Sequence, residues 1–366
     1  MKTIFFERLN FRPSFCCAWV VATLLLVSSA TPAWSKNEEE TKKVTHDYSF
    51  KVDKDDLLRV DNRFGTITVT HWDKKEVSIH VVVESKSSSD KRAQQNLDRV
   101  TVTANQYNHE ITALTSLKER NWNSSGNQER LTINYFIKMP ATLQTDLSQK
   151  YGNINLPEKN EGKSVLNIKY GNLQAGDFTK DLDLEIKYGN ANIGSVTTAM
   201  LDLGYCGNVS LQNGERLEVD AKYSHVNMQN IKRLMLGNKY GNVRVEKVEK
   251  ADMEIKYGET KVETIEKELL LDISYSTLTV REVAADFQKI DIDAHYGNVN
   301  LYFSPTAAFK VNAEDMKYGK YDISGFNSVQ TSVEEKVNHY SKVNGGSNRS
   351  VYFEGNNYSN LRIKSF

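Results

Sequence analysis

Leu182-Asp183-Leu184-Glu185-Ile186-Lys187-Tyr188-Gly189-Asn190-Ala191-Asn192-Ile193 is the stretch from which the fold follows. Leu182, Leu184, Ile186 and Tyr188 share one parity and Asp183, Glu185 and Lys187 the other, the period of two that marks a half-buried strand. After Gly189-Asn190 the next apolar residues are Ala191 and Ile193, so the step from Tyr188 to the next inward residue is three. A slip of one residue turns every later side chain to the wrong face unless the backbone bends. Gly-Asn suits a bend, because both residues tolerate positive φ. On this counting the tyrosine points into the core.

The phrase returns every 17 to 22 residues, at Tyr151, Tyr170, Tyr188, Tyr205, Tyr223, Tyr240, Tyr257, Tyr275, Tyr296 and Tyr318, with Phe64 and Tyr358 as outlying copies. Self-similarity at this period means stacked equivalent units. A second step of three follows in many units, at Ile193 to Val196, Met228 to Ile231 and Val245 to Val248, so each unit has at least two corners. The reading is an all-β, single-stranded parallel β-solenoid of about ten or more coils of 17 to 22 residues, right-handed by the rule that governs parallel crossovers. Extra residues at Cys206 and Glu314 predict local bulges.

The ends of such a stack need covering. Residues 1–35 read as an export signal: Lys2, Arg8 and Arg12 precede an apolar run from Phe15 to Val27, and Ala33-Trp34-Ser35 places the cleavage between Ser35 and Lys36. Residues 36–46 read as a charged, disordered linker. Residues 47–140 hold a first coil, Leu58 to Val69, and a β-rich insertion that caps it, with strands near Val77–Val83, Val100–Ala104, Ile111–Leu114 and Leu131–Ile137, a helix at Asp90–Leu97 and a polar loop at Lys118–Arg130. Residues 141–343 carry the repeats, and 344–366 a closing coil around Tyr358-Ser359-Asn360.

Composition narrows the function classes. The formal net charge is zero, so no global field favours nucleic acid, and no segment of the mature chain reads as a membrane span. Cys16 and Cys17 leave with the signal, and Cys206 alone cannot form a staple. The seven histidines have no metal-ligand spacing. The series Asp183, Asp202, Asp220, Asp252, Asp272, Asp291 and Asp293 lacks the glycine-rich calcium loop, and no nucleophile elbow, P-loop or dinucleotide fingerprint occurs. Neither a catalytic residue nor a cofactor is predicted, and no residue is assigned to a ligand.

The repeated Tyr-Gly-Asn phrases resemble those of the putative adhesin family of bacterial exported proteins, over about residues 47 to 366. The resemblance implies a β-solenoid and a surface or periplasmic adhesive role, with no site residues to carry over. The expectation is therefore a non-enzymatic exported adhesin-like β-solenoid, in the periplasm or on the cell surface of a bacterium, that presents an extended surface to a protein or glycan of the envelope. The alternatives are a polysaccharide-active β-helix enzyme and a periplasmic structural or regulatory protein.

Two outward features bear on binding. Lys150, Lys169, Lys187, Lys222, Lys239, Lys256 and Lys317 form a column one residue before the tyrosines, a stripe suited to anionic polysaccharide or lipid headgroups. Glu185, Asp220, Glu254 and Asp315, two residues earlier, offer neutralisation within the same face. An exposed aromatic strip for sugars requires the opposite parity for the tyrosines.

Overall fold

The computed structural model describes residues 40–118, 130–356 and 358–366. The export signal, with Ser35 and Lys36, lies outside the described residues, as do positions 36–39 of the linker and most of the polar loop. The described chain is nearly all β, its strands joined in one hydrogen-bonded network, and Asp90–Leu97 is its single helix.

Successive repeats pair in parallel and in register. Asn190–Gly204, Asn208–Lys222, His225–Lys239 and Asn242–Lys256 each run from one tyrosine corner to the next and pair with the following strand along nearly their whole length. The register sets like above like: Leu184, Leu201, Val219, Leu236, Met253, Leu271 and Ile292 form one buried column. Each such side chain contributes about 1.5–3 kcal/mol when fully buried. Within a unit the inward residues Met228, Ile231 and Leu234 are three apart, with exposed pairs between them. Two bends therefore separate one tyrosine corner from the next, one more than the sequence pattern establishes.

The N-terminal elements fall where the sequence places them, as Glu76–Ser87, Val100–Tyr107, Glu110–Leu117 and Arg130–Met139. They cover the open edge of the first repeat, Leu57–His71. Glu110–Leu117 pairs in parallel with its first half and Arg130–Met139 with its second, and each then takes an antiparallel neighbour, so the parallel ladder ends in antiparallel pairs. Ser89 caps the helix, its Oγ accepting from the Arg92 amide at 3.4 Å. The linker expectation needs correction: Glu40–Lys51 is a strand, antiparallel to Glu76–Ser87. Val44, His46, Tyr48 and Phe50 alternate through it, and that period outweighs the charged residues between them.

The C-terminal end also departs from expectation. Residues 344–366 do not close the stack. Ser350–Asn356 lies between Lys289–His295 and Phe309–Glu314, parallel to both, and Asn360–Ser365 likewise lies between Asn298–Phe303 and Tyr321–Ser324. The tail thus separates two repeats that are neighbours in sequence. In the outermost repeat, 309–324, Phe309–Glu314 is covered by Asn338–Val343, antiparallel to it, and Val329–Glu334 pairs antiparallel with the far edge of that strand. The two expected bulges are also relocated. The extra residue at Cys206 is absorbed in the corner with its side chain buried, and the parity break at Glu314 leads into Asp315 at φ 54°. The ladder shifts register instead at Val248–Lys250 and Val280–Val283.

Removing the tail takes away the buried side chains of Val351, Phe353, Leu361 and Ile363 and leaves two parallel edges open. A chain ending at Arg349 is expected to lose roughly 6 kcal/mol or more from this end. Limited proteolysis should then cut within 309–343, and a synthetic 348–366 peptide should restore protection. Protease resistance and a urea midpoint equal to those of the full chain contradict the inserted arrangement.

Candidate functional site

The tyrosine corners carry the main surprise. Phe64 and the nine tyrosines from Tyr151 to Tyr296 all sit at positive φ, between 50° and 61°, in the left-handed region that costs an L-residue roughly 1–2 kcal/mol. Their rings lie outside, from 38% exposed at Phe64 to 53% at Tyr205. The inward expectation for the tyrosines is therefore overturned. The phase of the strand changes at the tyrosine itself, so Ile186 and Ala191 face in while Tyr188 between them faces out.

The glycine after each tyrosine has a different task from the one expected. No glycine of these corners has positive φ; one is needed because the backbones nearly touch. A Cβ on Gly152 would stand 1.6 Å from the carbonyl oxygen of Gly65, on Gly171 1.7 Å from that of Gly152, and on Gly189 1.8 Å from that of Gly171. Where serine replaces it, the hydroxyl turns inward and bridges neighbouring backbones: Ser276 Oγ accepts from Gly258 N at 3.0 Å and donates to Ser274 O at 2.8 Å. Ser359 Oγ accepts from Gly297 N and donates to Ala294 O.

The asparagines that follow these glycines form a hydrogen-bonded ladder. Asn172 N donates to Asn153 Oδ1 at 2.9 Å, Asn190 N to Asn172 Oδ1 at 3.0 Å and Asn208 N to Asn190 Oδ1 at 2.8 Å. Each amide thus receives the backbone N–H of the next repeat, which locks register at the corner.

The exposed rings stack in one file. From Phe64 to Tyr296 the centroids are 4.9 to 5.2 Å apart with planes within 12°. Tyr358, brought in by the tail, continues the file, 5.9 Å from Tyr296 and 5.0 Å from Tyr318. Each contact contributes about 0.5–1.5 kcal/mol, which offsets much of the left-handed backbone cost. Because every interior ring is stacked on both sides, the file offers mainly ring edges and phenol hydroxyls to solvent. Among the described residues no hydroxyl from Tyr151 to Tyr296 has a hydrogen-bond partner within the chain.

Lysines line one side of this file. Lys187 pairs with Glu185, Lys222 with Asp220 at 2.8 Å and Lys256 with Glu254 at 2.5 Å, the interleaving that the sequence suggests. The neighbouring carboxylates hold these ammonium groups above their usual range. Lys150 and Lys169 instead lie over the rings of Tyr151 and Tyr170, 5.2 and 5.6 Å from the centroids. The aspartates fall in two columns: Asp183, Asp252 and Asp291 share one with Met200 and Met235, while Asp202, Asp220, Asp272 and Asp293 share the next. No group of three or more His, Cys, Asp or Glu among the described residues is placed to hold a metal. Cys206 is buried, and burial pushes its thiol pKa up, which leaves it a poor nucleophile.

No protein-family model matches the chain, and no curated protein matches it. Solved structures do. A candidate cell adhesion protein from Clostridium sporogenes is 13% identical over 89% of this chain and 100% of its own, with a TM-score of 0.18. A candidate adhesin from Parabacteroides distasonis is 8% identical over 88% and 97%, TM-score 0.33, and a candidate lipid-binding protein from the same species is 13% identical over 70% and 96%, TM-score 0.32. No helix of the described residues is long and apolar enough to cross a membrane.

Two glycine substitutions separate close approach from backbone freedom. Gly171→Ala places a methyl against backbone and should lower stability by about 3 kcal/mol or more in urea unfolding. Gly237→Ala, whose nearest neighbour would be Asp220 Oδ1 at 3.7 Å, should change it by less than about 0.5 kcal/mol. Equal effects contradict the assignment.

Proposed function

We propose that this protein is a non-enzymatic, exported, adhesin-like β-solenoid, right-handed, whose working surface is the outward tyrosine file, presented to a polymer or protein of the bacterial envelope. The observation that supports it is the file itself: Phe64, nine tyrosines from Tyr151 to Tyr296, then Tyr358 and Tyr318, held in contact at the surface. A core ladder needs no exposed rings, and asparagine or glycine meets the left-handed corner at lower cost. Keeping a large aromatic there is the arrangement of a contact surface. The regular pairing along the stack, with register kept through most repeats, suits a long flat partner better than a small molecule held in a pocket.

Removing three adjacent rings tests this. The variant Tyr188→Thr/Tyr205→Thr/Tyr223→Thr, checked to be folded by circular dichroism, should bind immobilised envelope polysaccharides and cell-wall fragments at least 10-fold more weakly than the parent chain. Undiminished binding by the variant contradicts the surface assignment. Release of shortened polymer by the parent chain contradicts the non-enzymatic assignment.

A further inference from the structure

We infer that the N-terminal end of the tyrosine file, around Lys150 and Lys169, is a seat for a linear polysaccharide bearing carboxylates, a polyuronate. This rests on the reading of the file as the working surface and names the chemistry of its partner.

The argument begins with charge. Lys150 and Lys169 are direct partners in the parallel ladder, so their side chains emerge about 4.8 Å apart, a like-charge neighbour pair that is unfavourable by itself. Farther along, Lys187, Lys222 and Lys256 each have a carboxylate two residues before them in the same strand. At the equivalent positions Lys150 has Ser148 and Lys169 has Asn167. Neither lysine has an ion-pair partner among the described residues. Arg63 extends the basic column by one rung, although Asp61 precedes it in the strand. Lys239, in the middle, has Gly237 at that position, but Asp202 stands before Gly204 on a rung without a lysine, so the column is balanced in sum along its middle and uncompensated at this end, where a bound anion would relieve the repulsion.

The aromatic file selects among anions. A ring's edge is its positive side and its face the negative one. Stacking sets each ring from Tyr151 to Tyr275 between two neighbours, and Lys150 and Lys169 approach what is left of the faces of Tyr151 and Tyr170. What remains outward is a ribbon of positive edges and phenol hydroxyls without internal partners, recurring at 4.9 to 5.2 Å. That ribbon cannot stack nucleic-acid bases, which need free faces, and for the same reason it gives a neutral sugar little to stack on. It suits an acceptor-rich chain: carboxylates take the ammonium groups and hydroxyl hydrogens, while sugar hydroxyls meet the spare side-chain N–H groups of Asn153, Asn172 and Asn190 on the far side of the corner, whose amide oxygens are taken up by the ladder. An acidic polypeptide would meet the lysines but has few hydroxyls for the remainder of the ribbon.

The test measures binding of the purified protein to polygalacturonate, polyglutamate and dextran at low and high salt. Polygalacturonate should bind more tightly than either of the others and weaken as salt rises. Lys150→Glu/Lys169→Glu should weaken it at least 10-fold. Lys54→Glu/Lys180→Glu, the same charge change at exposed positions off the column, should leave it within 2-fold. Equal loss in both double variants, or polyglutamate bound as tightly as polygalacturonate, overturns the inference. Dextran bound in preference, and released by the triple tyrosine variant, overturns it while leaving the surface reading intact. Polygalacturonate bound by the triple tyrosine variant as by the parent, yet lost in Lys150→Glu/Lys169→Glu, removes the tyrosine file from the site and overturns both.

Discussion

Parallel pairing in register brings each corner against the corner before it, and at Gly65, Gly152, Gly171 and Gly189 the backbones meet with no room for a Cβ. That close approach organises the rest. It restricts the residue after the turn to glycine, to a serine whose hydroxyl bridges neighbouring backbones, or, after Tyr205, to the buried Cys206, whose thiol donates to the Ile186 carbonyl. It moves the left-handed conformation onto the preceding residue and directs that residue's side chain to solvent. A single left-handed tyrosine would be a strained exception; ten successive left-handed aromatic corners support one another through their rings, the stacking energy of each contact being comparable to the backbone cost of one corner.

Register also turns composition into columns. Because like stands above like, an amide after the glycine becomes a hydrogen-bonded ladder, an inward leucine becomes a strip of core, and a lysine before the tyrosine becomes a basic line. The function of a surface of this kind resides in where a column changes its neighbours. The substitution of Ser148 and Asn167 for the carboxylates found at Glu185, Asp220 and Glu254 is such a change, small in sequence and decisive for charge.

Much of this was legible before the structure. The period of two interrupted at fixed intervals gave the strands, the corners and the N-terminal cap, because alternation reports burial directly. Three things were not legible. Parity counted from Tyr188 placed the ring inside, since a bend located at the tyrosine and a bend located after it leave the same step of three to Ala191. The order of the last repeats was hidden because a phrase such as Tyr358-Ser359-Asn360 identifies a unit without saying between which neighbours it lies. Residues 40–46 read as linker from their charge, yet Val44 and His46 continue the alternation of Tyr48 and Phe50 into a strand on the cap. In each case the missing information was a contact with a distant part of the chain.

The outward tyrosine file is the claim on which the account stands, and nitration with peptide mapping measures it most directly, because the reagent attacks ring positions beside the hydroxyl. Tyr151, Tyr170, Tyr188, Tyr205, Tyr223, Tyr240, Tyr257, Tyr275 and Tyr296 should be modified readily and at similar rates in the folded protein. Tyr135, fully buried against Thr115 with its pKa pushed up to about 12, should remain protected until the chain unfolds. Protection of the corner tyrosines to the level of Tyr135 would return the rings to the core and contradict the account.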